Sequence, residues 1–268
     1  MTKHPYAASS SDLVKAKYAY VVGNPAQHSL SPKLHDAAYR YLNLPFQYSI
    51  LEVTEPECID AIKRLRYGEV FGLSFTMPFK ELAYSMADEV TTAANLTEAV
   101  NTLVYRNHNI VGENTDIVGI KNAIGANFDA SQPWTVIGTG ATSRSAIAAL
   151  KELGAPEIWV VGRKAKKLAE LENNFSVSTA LYDQNYPVSH VISTLPASGQ
   201  ELIIEKVESA QFVLDVNYWP WPTNLASALN QNAVVISGIE MLVHQAAAQI
   251  EIMVGQQVPA EVLFTALT

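Results

Sequence analysis

The chain has 268 residues, 49% hydrophobic and 16% charged, a balance that fills a core and excludes a disordered tail or adaptor; the length suits two modest domains better than one. With 26 acidic against 18 basic side chains and a formal charge of −8, the overall field repels nucleic acid and anionic lipid, so any bound anion must be held by a local cluster. A lone cysteine, Cys58, excludes a disulfide framework and a cysteine-built zinc site, and no stretch approaches the ~20 apolar residues of a membrane span. A cytoplasmic protein is expected, with neither nucleic acid, membrane nor metal as partner.

Residues 1–12 are small and polar and read as a loose arm. Regular structure begins at "KYAYVVG". From there to about residue 105 the apolar stretches Tyr18 to Val22, Phe46 to Val53 and Val70 to Phe75 alternate with the helical patterns "SPKLHDAAYRYL" and "EPECIDAIKRL", which is α/β alternation. "VNTLVYRNHNIVGENTD" reads as a hairpin turning at Asn107 to Asn109, since asparagine tolerates the left-handed backbone of tight turns. Beyond the helical "DIVGIKNAIG", "PWTVIGTGATSRSAIAALKELG" predicts strand, glycine turn and helix. The strand "EIWVV", the helix "KAKKLAELENN" and strands near His190 to Ser193 and Phe212 to Val216 follow, a succession that predicts a parallel sheet with right-handed crossovers. "GIEMLVHQAAAQIEIMVG" and "PAEVLFTAL" close the chain as helices with no strand between them, so they need another surface to cover.

The turn "VIGTGATSRSA" places Gly138, Gly140 and Ala141 between strand and helix, a variant of the turn that brings backbone amides and a helix N-terminus to a dinucleotide pyrophosphate. Ser143 stands where the last small residue of the fingerprint falls, and the bland reading is a plain tight turn. About 25 residues further on, one strand-helix-strand unit away, "VVGRKAKKL" puts Arg163, Lys164, Lys166 and Lys167 at the end of the next strand with no carboxylate among them. An acidic residue there would take the ribose hydroxyls of NAD, whereas cations pair with the extra phosphate of NADP. The bland alternative is the solvated face of an ordinary helix.

"GNPAQHSLSPKLHDAAY", "SFTMPFKE", "AVNTLV", "ENTDIVG", "IGTGATSRSA", "DVNYWPWPT" and "GIEMLVHQAA" together resemble the shikimate dehydrogenase family, in order and over most of residues 20–255. The resemblance implies a two-domain α/β protein: a substrate domain over 1–117, a Rossmann-like NADP-binding domain over 118–238, and C-terminal helices over 239–268 returning to the substrate domain. It implies reversible reduction of 3-dehydroshikimate to shikimate with NADP(H), in a monomer or homodimer. Quinate/shikimate or aminoshikimate dehydrogenases are the neighbouring activities, and a silent dinucleotide-binding regulator is a different class.

By the same resemblance Lys80 and Asp116 form the acid–base pair. Lys80 follows Pro78 at an expected helix start, where a cation opposes the helix dipole; the bland reading is a surface lysine, and for Asp116 a helix N-cap. Ser29 and Ser31 would bind the substrate carboxylate before a helix expected to begin at Pro32, with Ser31 as its N-cap. Thr76, Asn101, Asp116 and Gln245 would meet ring hydroxyls, with Tyr218 closing over them. Gly138, Gly140, Ala141, Arg163, Lys164, Lys167, Gly238 and Met241 would hold the cofactor. The chain departs from the family at Ser74-Phe75-Thr76, where Asn-Val-Thr is usual, and at Ala141, where glycine is usual. It departs again at Gly162-Arg163-Lys164 in place of Asn-Arg-Thr, and at "STLPASG" in place of an Asn-Ala-Thr loop.

Overall fold

The computed structural model describes residues 17–229 and 233–268; the arm expected at 1–12 lies outside the described residues. Two compact units result, one of residues 1–115 with 243–268 and one of residues 116–242.

In the first unit β1 (Tyr18–Gly23) leads through α1 (Ser31–Tyr41) to β2 (Gln47–Glu52), then through α2 (Glu55–Arg66) to β3 (Gly72–Phe75). The chain continues as α3 (Lys80–Met86), β4 (Glu89–Val90), α4 (Thr92–Thr97) and the hairpin β5 (Thr102–Arg106) and β6 (Asn109–Glu113). The strands form one mixed sheet in the order β2-β1-β3-β5-β6-β4. β1 pairs in parallel with β2 and β3, whereas β5 runs antiparallel to β3. The C-terminal ends of β1 and β3 therefore share an edge with the start of β5 and the end of β6. Local sequence explains the elements. The Thr54 backbone N–H donates to the Glu57 carboxylate at 2.8 Å and caps α2, and Asn107 and His108 take the positive φ values of 49° and 68° that the hairpin requires. The core joins Val22, Ile62, Leu65, Leu73, Phe75 and Leu103, all buried.

The second unit opens with α5 (Asp116–Ile124) and then alternates β7 (Trp134–Ile137), α6 (Ala141–Leu153), β8 (Ile158–Gly162), α7 (Ala165–Phe175), β9 (Ser178–Leu181) and β10 (His190–Ser193). β11 (Phe212–Asp215), α8 (Asn224–Leu229) and β12 (Val234–Ser237) complete it. All its strands are parallel, ordered β12-β11-β10-β7-β8-β9. The order reverses between β7 and β10, the doubly wound Rossmann-like arrangement.

The last helices, α9 (Gly238–Val254) and α10 (Ala260–Thr265), carry the chain into the first unit from Val243 onward. Arg106, buried, donates from Nη2 to the Met253 carbonyl at 3.0 Å, setting a cation against the C-terminal end of α9. A Cβ at Gly72 would stand 2.7 Å from Met253 Sδ, so this glycine lets α9 lie against β3.

His35 of α1 is fully buried, stacked on Tyr48 with ring centroids 3.8 Å apart, and its Nδ1 lies 3.0 Å from the Tyr39 hydroxyl. Among the described residues Nε2 has no hydrogen-bond partner, and burial lowers the ring pKa to about 3, against a weaker upward pull from the Gln249 side chain. The unfolded chain takes up this proton near pH 6.5 and the folded chain only near pH 3, so the contribution is stable above 6.5 and is lost as pH falls. We expect the slope of unfolding free energy against pH between 6 and 4, from urea titrations, to fall by up to about 1.4 kcal/mol per pH unit in His35→Gln; an unchanged slope would refute the assignment.

Candidate active site and dinucleotide site

One edge of the first sheet gathers the polar groups. Thr76 follows β3 and its N–H donates to the Val22 carbonyl at 2.9 Å. Lys80 is the first residue of α3, and its carbonyl accepts from Val100 N at 2.9 Å, next to Asn101. Asn101 is 1% exposed, and its Oδ1 accepts from the Thr102 hydroxyl and the Thr115 N–H, both at 2.9 Å. Its Nδ2 donates to the Thr115 hydroxyl at 2.9 Å and reaches Gln245 Oε1 on α9 at 3.5 Å. A buried carboxamide held at both ends in this way has a fixed orientation before any ligand arrives.

The start of α1 differs from expectation. Leu30 is the N-cap, Ser31 the first helical residue and Pro32 the second. The capping oxygen is instead that of Ser29, whose Oγ accepts from Ser31 N at 3.3 Å. Proline suits either of the first positions, so the pattern fixed the helix start only to within one residue. The correction leaves the Ser29 hydroxyl hydrogen outside that bond, and Ser31 remains at the amide-rich end of an 11-residue helix. Asp116 opens α5, is 3% exposed and belongs to the second unit.

In the second unit the glycine turn joins β7 to α6 beside the strand-order reversal, where doubly wound sheets take their ligands. Gly138 has φ +123°, and a Cβ there would lie 2.2 Å from Thr194 Oγ1. Only glycine allows that approach. The Thr194 hydroxyl donates to the Ile137 carbonyl at 2.9 Å, so Ser143, 2.7 Å away, donates to Thr194 and accepts the Gly140 N–H at 3.1 Å. Ser143, the departure from the fingerprint, thus ties the turn to the end of β10. Ala141 is the first residue of α6, whose N-terminal amides remain suited to a pyrophosphate. Arg163, Lys164, Lys166 and Lys167 are exposed around the start of α7, and among the described residues none is held in a salt bridge. Cations at a helix N-terminus oppose its dipole, and an anion satisfies both. The cradle and this cluster fit an adenine dinucleotide with a 2′-phosphate.

Tyr218 is half-buried in the loop after β11. Sequence reasoning missed what holds that loop. Asp215 is fully buried, and its carboxylate accepts from Gln200 and Thr223 at 2.7 Å each and from Asn217 at 2.8 Å. Asn217 also donates to the Leu195 carbonyl at 2.7 Å, linking this loop to the one after β10. A carboxylate closing an apolar strand was the available signal. Gly238 and Met241 lie where β12 passes into α9, and the Gly238 N–H donates to the Asn217 carbonyl at 3.2 Å. The structure therefore groups Thr76, Lys80, Asn101 and Gln245 on the first unit, whereas Asp116, Tyr218 and the expected cofactor residues belong to the second.

Comparison with known proteins gives a consistent answer. The shikimate dehydrogenase substrate binding domain matches residues 21–103, and the shikimate 5'-dehydrogenase C-terminal domain matches residues 238–263. Shikimate dehydrogenase (NADP(+)) of Synechocystis sp. is 31% identical over 94% of this chain and 95% of its own. The crystal structure of Mycobacterium tuberculosis shikimate dehydrogenase is 37% identical with TM-score 0.82, covering 94% of this chain and 98% of that one. Shikimate 5-dehydrogenase of Thermus thermophilus in complex with NADP(H) and shikimate is 27% identical with TM-score 0.81, covering 93% and 97%.

Gly138→Ala is expected to cost at least about 1–3 kcal/mol of stability in urea unfolding and to remove dinucleotide binding in a fluorescence titration. Thr194→Val, which keeps the side-chain shape and loses both hydroxyl bonds, should weaken that binding while unfolding nearly as wild type. Wild-type affinity in both variants would refute the tethered-turn assignment.

Proposed function

This chain belongs to the shikimate dehydrogenase family of oxidoreductases, and we propose that it interconverts 3-dehydroshikimate and shikimate with NADP(H). The match to the NADP(+) enzyme of Synechocystis sp. along 94% of the chain carries this reading. When bound, the nicotinamide accepts or gives the hydride at the ring carbon bearing the alcohol.

The chain's own groups supply binding and proton transfer. Ser29 and Ser31 hold the substrate carboxylate with hydroxyl donors at the N-terminal end of α1. Thr76, Asn101 and Gln245 pair with the ring hydroxyls, and Tyr218 covers the ligand. A site built to bond several hydroxyls discriminates against analogues lacking one, since each missing hydroxyl removes a directed hydrogen bond. Lys80 and Asp116 together form the pair that takes the alcohol proton as the hydride leaves and returns it in the reverse direction. Lys80 is suited to this by its place at the start of α3, where its carbonyl is tied to Val100 N beside Asn101. Arg163, Lys164 and Lys167 pair with the 2′-phosphate, Gly138, Gly140 and Ala141 admit the pyrophosphate, and Gly238 and Met241 line the nicotinamide end.

Steady-state oxidation of shikimate and quinate with NADP and NAD tests this. We expect turnover with shikimate and NADP, and a fall in kcat on the order of 10²–10⁴ in Lys80→Ala with NADP affinity unchanged. Arg163→Ser combined with Lys164→Ser should raise the KM for NADP and leave that for NAD unaltered. Preference for NAD in the wild type, or full activity in Lys80→Ala, would overturn the corresponding assignment.

A further inference from the structure

Ser74 sits in β3 where the family usually has asparagine, so the chain has given up a carboxamide next to the candidate site. The structure returns one from elsewhere. Gln249 of α9 is 2% exposed; its Oε1 accepts from the Ser74 hydroxyl at 3.2 Å, and its Nε2 donates to the Asn101 carbonyl at 3.0 Å. These contacts span 175 and 148 residues of sequence. Gln249 lies one helical turn after Gln245, on the same face of α9. A glutamine in so apolar a helix is costly unless both ends of its amide are used, and here both are.

Asn101 is the beneficiary. Its carbonyl accepts from Phe75 N at 2.8 Å as well as from Gln249, and its N–H donates to the Glu113 carbonyl at 3.0 Å. The backbone that carries this amide is therefore held by β3, β6 and α9 together. We infer that Gln249 is a positioning residue for substrate binding. With Ser74 it replaces the amide missing from β3 and fixes the placement of Asn101 and Gln245 toward the ring hydroxyls. This rests on the reading of Asn101 and Gln245 as the hydroxyl-binding amides.

The test uses the full chain. Gln249→Met keeps shape and helix propensity and removes both bonds; the KM for shikimate should rise about tenfold, the equivalent of roughly one buried hydrogen bond, with the KM for NADP and the melting temperature little changed. Ser74→Asn introduced into Gln249→Ala should recover most of the shikimate KM lost in Gln249→Ala alone. A wild-type shikimate KM in Gln249→Met, equal rises for shikimate and NADP, or no recovery in the double variant would each overturn the inference. Side-chain amide resonances of Asn101 give a readout independent of turnover. They should move in Gln249→Met, and unmoved resonances overturn the inference even if the wild type oxidises no shikimate, an outcome that would itself refute only the functional reading.

Discussion

The first unit depends on the immobilisation of one buried amide. Asn101 bonds through its backbone to strands on both sides and through its side chain to Thr102, Thr115 and α9. A primary amide buried this deeply is destabilising if even one donor or acceptor is left unmatched, and strongly orienting when all are matched. It therefore ties the hairpin β5–β6 to β3 and to α9, and sets the direction in which its own polar atoms point. Lys80 inherits its position from the same arrangement, through the bond between its carbonyl and Val100 N.

The second unit solves a different problem with the same economy. A doubly wound sheet leaves room for a ligand where its strand order reverses, but leaves the loops there long and exposed. The hydroxyls of Ser143 and Thr194 stiffen the turn after β7, and the carboxylate of Asp215 gathers the segments after β10 and β11. Both devices place rigid hydrogen bonds just behind the residues proposed to meet a cofactor, the supporting arrangement that precise binding requires.

Much of this was legible from pattern. The hairpin, the glycine turn, the cations after β8 and the central strands all appear in the sequence because each reflects a local rule of period or turn chemistry. The strands that escaped notice, β4, β9 and β12, are the edges of their sheets. They are short and mostly half-exposed, so neither alternation nor a continuous apolar run marks them. The start of α1 shifted by one residue because serine and proline satisfy adjacent positions equally well. The bond between Gln249 and Ser74 was beyond reach for another reason: nothing local distinguishes a glutamine that bonds across 175 residues from one facing water.

The first unit is discontinuous, residues 1–115 being completed by 243–268. During synthesis from the N-terminus the second unit has its whole sequence available while the first still lacks α9 and α10. Until those helices emerge, Arg106 has no Met253 carbonyl to meet and Asn101 has neither glutamine. Sequence order therefore leaves the first unit to be completed by helices that follow nearly all of the second. Residues 243–268 thus act as the clasp of a sheet whose strands all precede the second unit, joining β3 and the start of β5 through Gln249.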